Sequence, residues 1–464
     1  MNSIVAEIVK IIKDSKDAIS REECIWRYFT DKLSQSVTEA LEIIDAEVAE
    51  KYKQKGYEIA RRDWRTIQCV FGAVRFKRRL LKNATKKSIY PMDRELGLVP
   101  YQRYTPYFQY CIAQIAAKSV YRSTALAVNL LTPVEMSHQK VGSIVKHVGK
   151  KYAQWEKEQA VAEPAADAQL KEASVLYIEG DGVMIRGQGQ KKCEIHRFQI
   201  AEGVETCGNR RQLTGTHCFA GFNRAETAKQ IKMYLENNYD LSNTIVLSNS
   251  DGGNGYGKSV FDEIVDGCCR HEHFRDRYHV NKKIKERLNF VEGTLINKLQ
   301  RHLWDYDWDG VSTVLDTAES IAQEKTTQEE QVQQLRGYLQ RNWNYLNPIE
   351  KRGLGAYQKG LGTCESNHRL YSYRMKRQSR RWGKEGGEAM VKIITGLKNE
   401  ELARALTQQD QTFQKKQSRQ LNGAVRIALK KANAAVLHVG VQHGRLANYS
   451  PASSAMGKLA KIFA

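Results

Sequence analysis

Two aspartates, each at the end of an apolar segment, are the residues of this sequence best suited to chemistry. Asp181 follows VLYIEG and Asp251 follows TIVLSNS, and each has a glycine as its next residue. Glycine lets the backbone approach a bound ligand closely. If the segments are neighbouring strands, the two carboxylates meet at one sheet edge, where they supply the hard oxygen ligands that Mg²⁺ prefers. Two such ions stabilise the attacking and leaving oxygens of a phosphodiester, so the pair predicts metal-dependent phosphoryl transfer.

A third carboxylate is expected from a later helix, and Glu365 is the candidate. It is the only acidic residue between Lys351 and Lys384, a segment with ten lysines and arginines. A solvated helix face would mix both signs of charge. The isolated glutamate therefore indicates a metal ligand beside a DNA-binding surface, although a salt bridge within a helix would also explain it. The predicted DNA-binding residues of this segment are Arg369, Arg374, Lys376, Arg377, Arg380, Arg381 and Trp382.

Several residues near these acids have two interpretations each. Glu179 is two residues before Asp181, so both face the same way on a strand, and Glu179 is either an outer ligand or the ligand in place of Asp181. Asp276 and His279 share a face if a helix begins here. They either position substrate and move protons, or cap a helix that begins near Asn281. Trp382 either holds a splayed base or packs in the core.

The charge of the chain favours a polyanionic partner. Its 73 lysines and arginines exceed its 52 aspartates and glutamates, which gives a formal net charge of +21 over 464 residues. Such a field is typical of proteins that bind DNA or RNA. Nine cysteines without repeated spacing, the lack of a signal-like amino terminus and the lack of a membrane-length apolar run favour a cytoplasmic protein without a membrane partner.

The first third of the chain has the pattern of a DNA-binding region. Residues 1–60 have helical spacing, and residues 61–155 are expected to hold a basic β-hairpin, turning near Phe71-Gly72, and then a helix-turn-helix. The hairpin either binds a phosphate backbone or is an edge protected by lysines. In the helix-turn-helix, Ser137 is the expected N-cap of the second helix. The predicted DNA-binding residues are Arg75, Lys77, Arg78, Arg79, Ser137, His138, Gln139 and Lys140.

The rest of the chain predicts an α/β catalytic core. Residues 156–173 read as a linker, and strands are then expected near Val175, at Ile195–Glu205, at Gln212–Phe222 and at residues 244–251, with helices after the third and fourth. That order is typical of a ribonuclease H-like fold, in which the first and fourth strands are central neighbours. Because Glu365 is far from Asp251 in the chain, we expect a core at residues 174–280 and 351–395, an all-helical insertion at 281–350 and a basic tail at 396–464.

The stretch GGNGYGKS after Asp251 also matches the phosphate-binding loop of ATPases. Such an enzyme needs a later strand that ends in a Mg²⁺-binding acid. Beyond residue 280 the sequence predicts helices, and Asp251 would repel incoming phosphates. We therefore expect no ATP site, and we interpret the glycines as the turn that exposes the Asp251 carboxylate.

Together these motifs resemble the DDE transposases of bacterial insertion sequences, related to the Mutator-like group, and most closely the ISLre-type family. The resemblance runs from about residue 65 to residue 390. Its stretches are FGAVRFKRR, YPMDRELGL, YIEGDGV, SDGGNGY, FRDRYHV and CESNHRLYSYRM with the later RW. The chain departs from the family in having an arginine, not a glycine, before Trp382.

The resemblance implies an enzyme that binds the terminal inverted repeats of a mobile element and joins their 3′ ends to target DNA. Asp181, Asp251 and Glu365 would be the catalytic triad and bind two Mg²⁺ or Mn²⁺ ions, with Asp276 and His279 as an accessory motif. A homo-oligomer on double-stranded DNA is expected because two ends must be paired, and the DNA-bound protein would be associated with the nucleoid. The alternatives are a transposase-derived DNA-binding protein and a ribonuclease H-like nuclease without strand transfer.

Overall fold

A computed structural model describes most of the chain up to Thr407 as a mixed α/β protein. The described residues are 3–85, 87–161, 169–190, 192–208, 210–253, 255–322, 327–362, 364–377 and 380–407. For residues 3, 190, 207, 210, 211, 358, 359 and 364–368 only the backbone is described. The predicted tail is therefore described only up to Thr407.

The amino-terminal region consists of two helices and a hairpin. Asp17 begins the second helix as its N-cap, because its carboxylate accepts the N–H of Ser20 at 2.8 Å. The hairpin has a two-residue turn, and Val74 and Phe76 on its inner face are fully buried. The elements are α1 (Ser3–Asp14), α2 (Ala18–Lys53), β1 (Glu58–Cys69), β2 (Gly72–Lys82), β3 (Ser88–Ile89) and α3 (Pro91–Glu95).

Three helices follow, at the place where the sequence predicted a helix-turn-helix. They are α4 (Pro106–Lys118), α5 (Tyr121–Leu131) and α6 (His138–Val161). Ser137 caps α6 by accepting the N–H of Lys140 at 3.3 Å. Residues 156–161, assigned to the linker, are helical, because the buried Glu156 carboxylate holds this part of α6 against Lys392 at 2.6 Å.

A five-stranded sheet forms the centre of the second half. Its order is β12-β11-β5-β6-β9, in which β5, β11 and β12 are parallel and β6 runs antiparallel to both β5 and β9. The elements of this region are β4 (Lys171–Glu172), β5 (Val175–Arg186), β6 (Lys192–Ala201), β7 (Gly203–Cys207), β8 (Arg210–Thr214), β9 (His217–Gly221), α7 (Arg224–Asn238), β10 (Tyr239–Asp240), β11 (Ile245–Ser250), α8 (Lys258–Ile264) and β12 (Arg270–Arg275).

Two details of this sheet differ from the sequence prediction. The expected strands Ile195–Glu205 and Gln212–Phe222 are each divided, since a small hairpin of β7 and β8 separates β6 from β9. Strand β12 was not predicted, because its sequence RHEHFR has no apolar alternation. It forms by pairing its backbone along the whole of β11.

The two faces of the sheet have different characters. Along one face of β5, Leu176 and Ile178 pack against Phe198 and Phe261 in an apolar layer. Along the other face, Val175 and Tyr177 are apolar. Because side chains alternate along a strand, Glu179 and Asp181 continue that second face toward the end of the parallel strands. That face therefore has its two carboxylates in the middle, between Tyr177 on one side and the buried Val183 on the other.

The remaining helices form an insertion and a cover for the sheet. The insertion has its own core, in which Trp304 and Trp308 are partly buried as packing residues. Its helices are α9 (Arg277–Arg287), α10 (Gly293–Trp304), α11 (Trp308–Ile321) and α12 (Thr327–Leu346). The later helices are α13 (Cys364–Met375), α14 (Lys384–Lys398) and α15 (Leu402–Thr407). In the described part of the chain, no helix combines the length and apolarity needed to cross a membrane.

Candidate carboxylate site

Asp181 and Asp251 lie next to each other at the centre of the sheet. Strands β5 and β11 pair in parallel with Gly180 opposite Ser250. Asp181 directly follows Gly180, and Asp251 directly follows Ser250, so the two aspartates are neighbours. Both side chains line one cavity of about 330 Å³, together with His279. The Asp181 residue is buried, whereas Asp251 is half-buried. The cavity therefore has two carboxylates from adjacent strands in its wall.

The loop after β11 shapes the surroundings of Asp251. The Asp251 carboxylate accepts the N–H of Gly253 at 2.7 Å. Gly252 has φ 77°, and the Arg275 guanidinium occupies the space where a Cβ at residue 252 would lie. Lys258, the lysine of the ATPase-like pattern, binds Asp262 of its own helix at 2.6 Å.

Asp276 and His279 form a hydrogen-bonded pair at the edge of the same cavity. Asp276 is the N-cap of α9, since one carboxylate oxygen accepts the N–H of Tyr278 at 2.9 Å. The other oxygen lies 3.0 Å from Nδ1 of His279. This hydrogen bond raises the pKa of His279, and the charges of Asp181 and Asp251 act in the same direction. Helix α9 begins at Arg277, before the predicted start near Asn281. Asp276 therefore both caps this helix and holds His279 at the cavity that contains Asp181 and Asp251.

Glu179 has a different environment from Asp181. Its residue is 3 % exposed, and its carboxylate accepts the N–H of Gly362 at 2.9 Å and the side-chain amide of Asn249 at 3.3 Å. Gly362 has φ 83° and lies just before α13. Glu179 therefore connects the sheet to the chain segment that leads into α13.

Helix α13, which contains Glu365 in its first turn, reaches the cavity with its second half. Ser372 of this helix and Lys376 and Arg377 just after it line the cavity with the two aspartates. Glu365 is in the first turn of α13, and its side chain is outside the described part of the structure. Among side chains that are described, no group of three or more histidines, cysteines, aspartates and glutamates is arranged to hold a metal ion.

The basic residues around α13 divide into exposed and buried ones. Arg369, Lys376, Arg377 and Arg381 are exposed, and Arg380 is half-buried and donates to the carbonyl of Arg374. The remaining two predicted DNA-binding residues of this segment, Arg374 and Trp382, are buried.

Arg374 and Trp382 are packing residues in this structure. Arg374 donates to the carbonyl of Ala116 at 2.6 Å and lies over the Trp382 ring at 4.9 Å. Burial lowers the pKa of Arg374 to about 10. Trp382 is 8 % exposed and donates its indole N–H to the carbonyl of Met375 at 2.8 Å. The expectation that Arg374 binds DNA is thus corrected, and for Trp382 the core interpretation holds, because neither side chain is accessible to a DNA strand.

The predicted DNA-binding residues of the hairpin divide in the same way. Arg75 and Lys77 are exposed and lie over the Trp64 ring at 4.5 and 4.9 Å. Arg78 forms an ion pair with Asp93, and burial lowers its pKa to about 10. Arg79 forms an ion pair with the buried Asp45 of α2 at 2.6 Å. The expectation of DNA contacts is therefore corrected for Arg78, which is buried, whereas Arg79 is half-buried and joins β2 to α2.

The start of α6 exposes fewer polar side chains for contact with DNA than a recognition helix would. Gln139 and Ser137 are exposed, His138 is half-buried, and the Lys140 ammonium lies over the Tyr104 ring at 5.2 Å. Farther along, Val141, Val145 and Val148 are fully buried. One side of α6 is therefore a core face, whereas its other side is exposed at Ser143, Lys146 and Lys150.

Sequence reasoning missed Arg275, the arginine behind the Asp251 loop. Its guanidinium donates to Asn342 of α12 at 2.7 Å and to the Ser250 hydroxyl at 3.1 Å, and it lies over the Tyr345 ring at 5.1 Å. Arg275 thus joins the end of β11 to the helical insertion. The only signal in the sequence is its place directly before Asp276.

Comparison with known proteins identifies one family. A family model described as "Uncharacterised protein family (UPF0236)" matches residues 18–412. A relative from Streptococcus gallolyticus, named "UPF0236 protein in vanSb 3'region", is 36% identical over 399 residues, which is 86% of each chain. The matched range of the family model contains the hairpin, the sheet, the insertion and α13.

Proposed function

The chain belongs to the uncharacterised protein family UPF0236, and we propose that it is a DNA transposase that cleaves and joins DNA with Asp181, Asp251 and Glu365. One observation carries this proposal. The parallel register of β5 and β11 brings Asp181 and Asp251 into a cavity that is also lined by Ser372 of α13, the helix that contains Glu365.

We further propose that the core is ribonuclease H-like. In chain order, the five strands of the sheet are β5, β6, β9, β11 and β12, and the first and fourth of them are central neighbours. The helical insertion between β12 and α13 accounts for the long interval between Asp251 and Glu365. Both features support the fold that the motifs imply.

The donor set fits a hard divalent cation. Asp181 and Asp251 supply carboxylate oxygens from adjacent strands, and Glu365 would supply a third carboxylate. When bound, Mg²⁺ or Mn²⁺ would stabilise negative charge on the scissile phosphate. The carboxylates would hold such ions. Because water and then a DNA 3′-OH would be the attacking groups, the reaction would need no nucleophilic side chain.

Other groups of the cavity would act on the DNA itself. Lys376 and Arg377 are exposed at the cavity and would bind phosphate oxygens. The raised pKa of His279 favours its protonated form, which can donate a hydrogen bond or a proton to an oxygen. Water would first attack the phosphorus and release a 3′-OH, which would then attack a phosphodiester of target DNA and release a second 3′-OH.

An assay for strand transfer tests the proposal. The full chain is incubated with DNA that carries the element's terminal sequences, a target plasmid and Mn²⁺. We expect joined products from the wild type and from Asp266→Asn, a matched change at an exposed aspartate outside the cavity. We expect none from Asp251→Asn.

Other outcomes would overturn the proposal. Cleavage without joining by the wild type would indicate a nuclease, and DNA binding without either reaction would indicate a transposase-derived DNA-binding protein. Joining by Asp251→Asn at the wild-type rate would exclude this site. Because two ends must be paired, the proposal also includes a homo-oligomer on DNA, and sedimentation of the DNA complex would detect it.

A further inference from the structure

Helix α9 carries a line of cationic or protonatable side chains that starts at the carboxylate cavity. His279, Lys283 and Arg287 are each four residues apart, so they follow one side of the helix, with about 6 Å of rise between neighbours. His279 lines the cavity with Asp181 and Asp251. The line therefore leads from Asp181 and Asp251 into the helical insertion, of which α9 is the first helix.

Lys283 and Arg287 continue into a groove between α9 and α12. This groove has a volume of about 280 Å³, and it is also lined by Arg341, Tyr338 and two glutamine side chains of α12. The Lys283 ammonium lies over the Tyr338 ring at 4.0 Å. Arg287 donates to the side-chain carbonyl of Gln334. The groove thus contains three cations and two glutamine side chains, and the amide of Gln333 donates to Glu319. Gly337 leaves one part of the groove wall without a side chain.

The cations of this groove form no ion pair with a described carboxylate, although the charges of Asp251 and Glu286 act on Lys283 from a greater distance. None of Lys283, Arg287 and Arg341 has a described carboxylate within 4.0 Å, whereas Arg336 on the same helix α12 pairs with Asp316 at 2.6 Å. Burial lowers the pKa of Lys283, and the nearby charge of Arg287 lowers it further. Clustered like charges are unfavourable in the free protein, and a bound polyanion would relieve that repulsion.

We propose that the groove between α9 and α12 binds the phosphate backbone of a DNA strand that passes through the carboxylate site. This inference rests on the proposed function, because it assigns a path to the DNA of that reaction. The cations are spread along the helix and not gathered around one point, which suits a chain of phosphates better than a single small anion. Lysine, arginine and glutamine are typical phosphate contacts.

The salt dependence of DNA binding tests the groove directly. The triple variant Lys283→Ala, Arg287→Ala, Arg341→Ala is compared with Lys282→Ala, Lys285→Ala, Lys298→Ala, which removes the same number of charges from exposed positions of α9 and α10. Binding of a fluorescent double-stranded DNA to the full chain is measured over a range of salt concentrations. Each lost phosphate contact makes the slope of log K against log salt less negative by about 0.9.

We expect the groove variant to make that slope less negative by about 2 to 3, and the control variant to keep the slope near the wild-type value. Equal slopes for both variants would overturn the inference. Saturable binding of inorganic phosphate that only the groove variant loses, with an unchanged DNA slope, would assign the groove to a small anion instead. If the wild type shows no salt-dependent binding of DNA, the proposed function itself fails. Strand transfer by the wild type with equal slopes rejects the groove alone.

Discussion

The carboxylate of Glu179 accepts a hydrogen bond from the backbone N–H of Gly362 at 2.9 Å, across 183 residues of sequence. This bond joins the middle of β5 to the turn before α13. The helix that follows contains Glu365 and places Ser372 at the cavity. Glu179 is therefore a positioning residue in our scheme, and the position of α13 depends on it.

Substitution of Glu179 should separate positioning from metal binding. A glutamine at this position keeps an oxygen for the Gly362 N–H, so we expect Glu179→Gln to retain most of the strand-transfer activity. Glu179→Ala leaves a buried N–H unpaired, and we expect a loss of about 1–3 kcal/mol in the free energy of unfolding together with a large loss of activity. Urea unfolding and the transfer assay measure the two effects. Inactivation of Glu179→Gln as complete as that of Asp251→Asn, with a raised Mn²⁺ requirement, would instead make Glu179 a metal ligand.

Gly252 should not tolerate a side chain. Its positive φ is strained for alanine, and the Arg275 guanidinium occupies the Cβ position. We expect Gly252→Ala to lower the free energy of unfolding by about 1–3 kcal/mol and to reduce activity, since Asp251 is the adjacent residue. Gly257→Ala is the control in the same loop, because it has φ −79° and open space around it. An equal loss of stability in both variants would argue against the Arg275 contact.

The basic hairpin should show two kinds of arginine. The double variant Arg75→Ala, Lys77→Ala should weaken DNA binding and make the slope of log K against log salt less negative. Its free energy of unfolding should change little, because both side chains are exposed. Arg79→Ala should instead cost about 3 kcal/mol of stability, because it leaves the Asp45 carboxylate buried without its cation. Urea unfolding and DNA titration of both variants test this. Weaker DNA binding by Arg79→Ala at unchanged stability would contradict the assignment.

Buried His273 should make the protein sensitive to acid. Burial lowers its pKa to about 3, below the usual value of about 6.5, so the unfolded chain binds the proton more readily than the folded one. Its contribution to stability is complete above about pH 6.5 and is lost as the pH falls toward 3. At about pH 5 the loss should be about 2 kcal/mol for this residue.

A phenylalanine variant measures this effect. The His273 ring packs against Phe261 and Tyr345 at centroid distances of 5.1 and 5.3 Å, and a phenylalanine keeps this packing while it loses the hydrogen bond between Nδ1 and the Ser248 hydroxyl at 2.7 Å. We expect His273→Phe to lose less stability than the wild type between neutral pH and about pH 5 in urea unfolding. His138→Phe, at the start of α6, is the control and should follow the wild type. An unchanged pH dependence in His273→Phe would show that other groups cause the acid sensitivity.

The local elements of the fold could be read from the sequence because their signals are local. Alternation of apolar and basic residues marks β2, apolar β-branched runs mark β5 and β11, and the cap at Ser137 marks the start of α6. Strand β12 was missed, since it is held by backbone pairing with β11 and not by apolar side chains.

The site itself could be predicted only in part. The expected pairing of neighbouring strands does place Asp181 beside Asp251, but Asp181 is not at a strand end, because β5 continues to Arg186. No pattern in the sequence predicts the contacts between distant segments, such as those of Arg275 with Asn342 and of Arg79 with Asp45. Alternation along β2 would have turned Arg78 inward with Val74 and Phe76, but only the structure shows that Asp93 compensates its charge.

The alternation along β5 restricts how this segment can change in length. Gly180 faces Phe198 and Phe261, and even a methyl group there would collide with both rings. A single-residue insertion or deletion between Val175 and Gly180 would turn the carboxylates toward this apolar layer, whereas a change of two residues would keep them on their own side. We therefore expect homologous chains to differ in this stretch by an even number of residues or not at all.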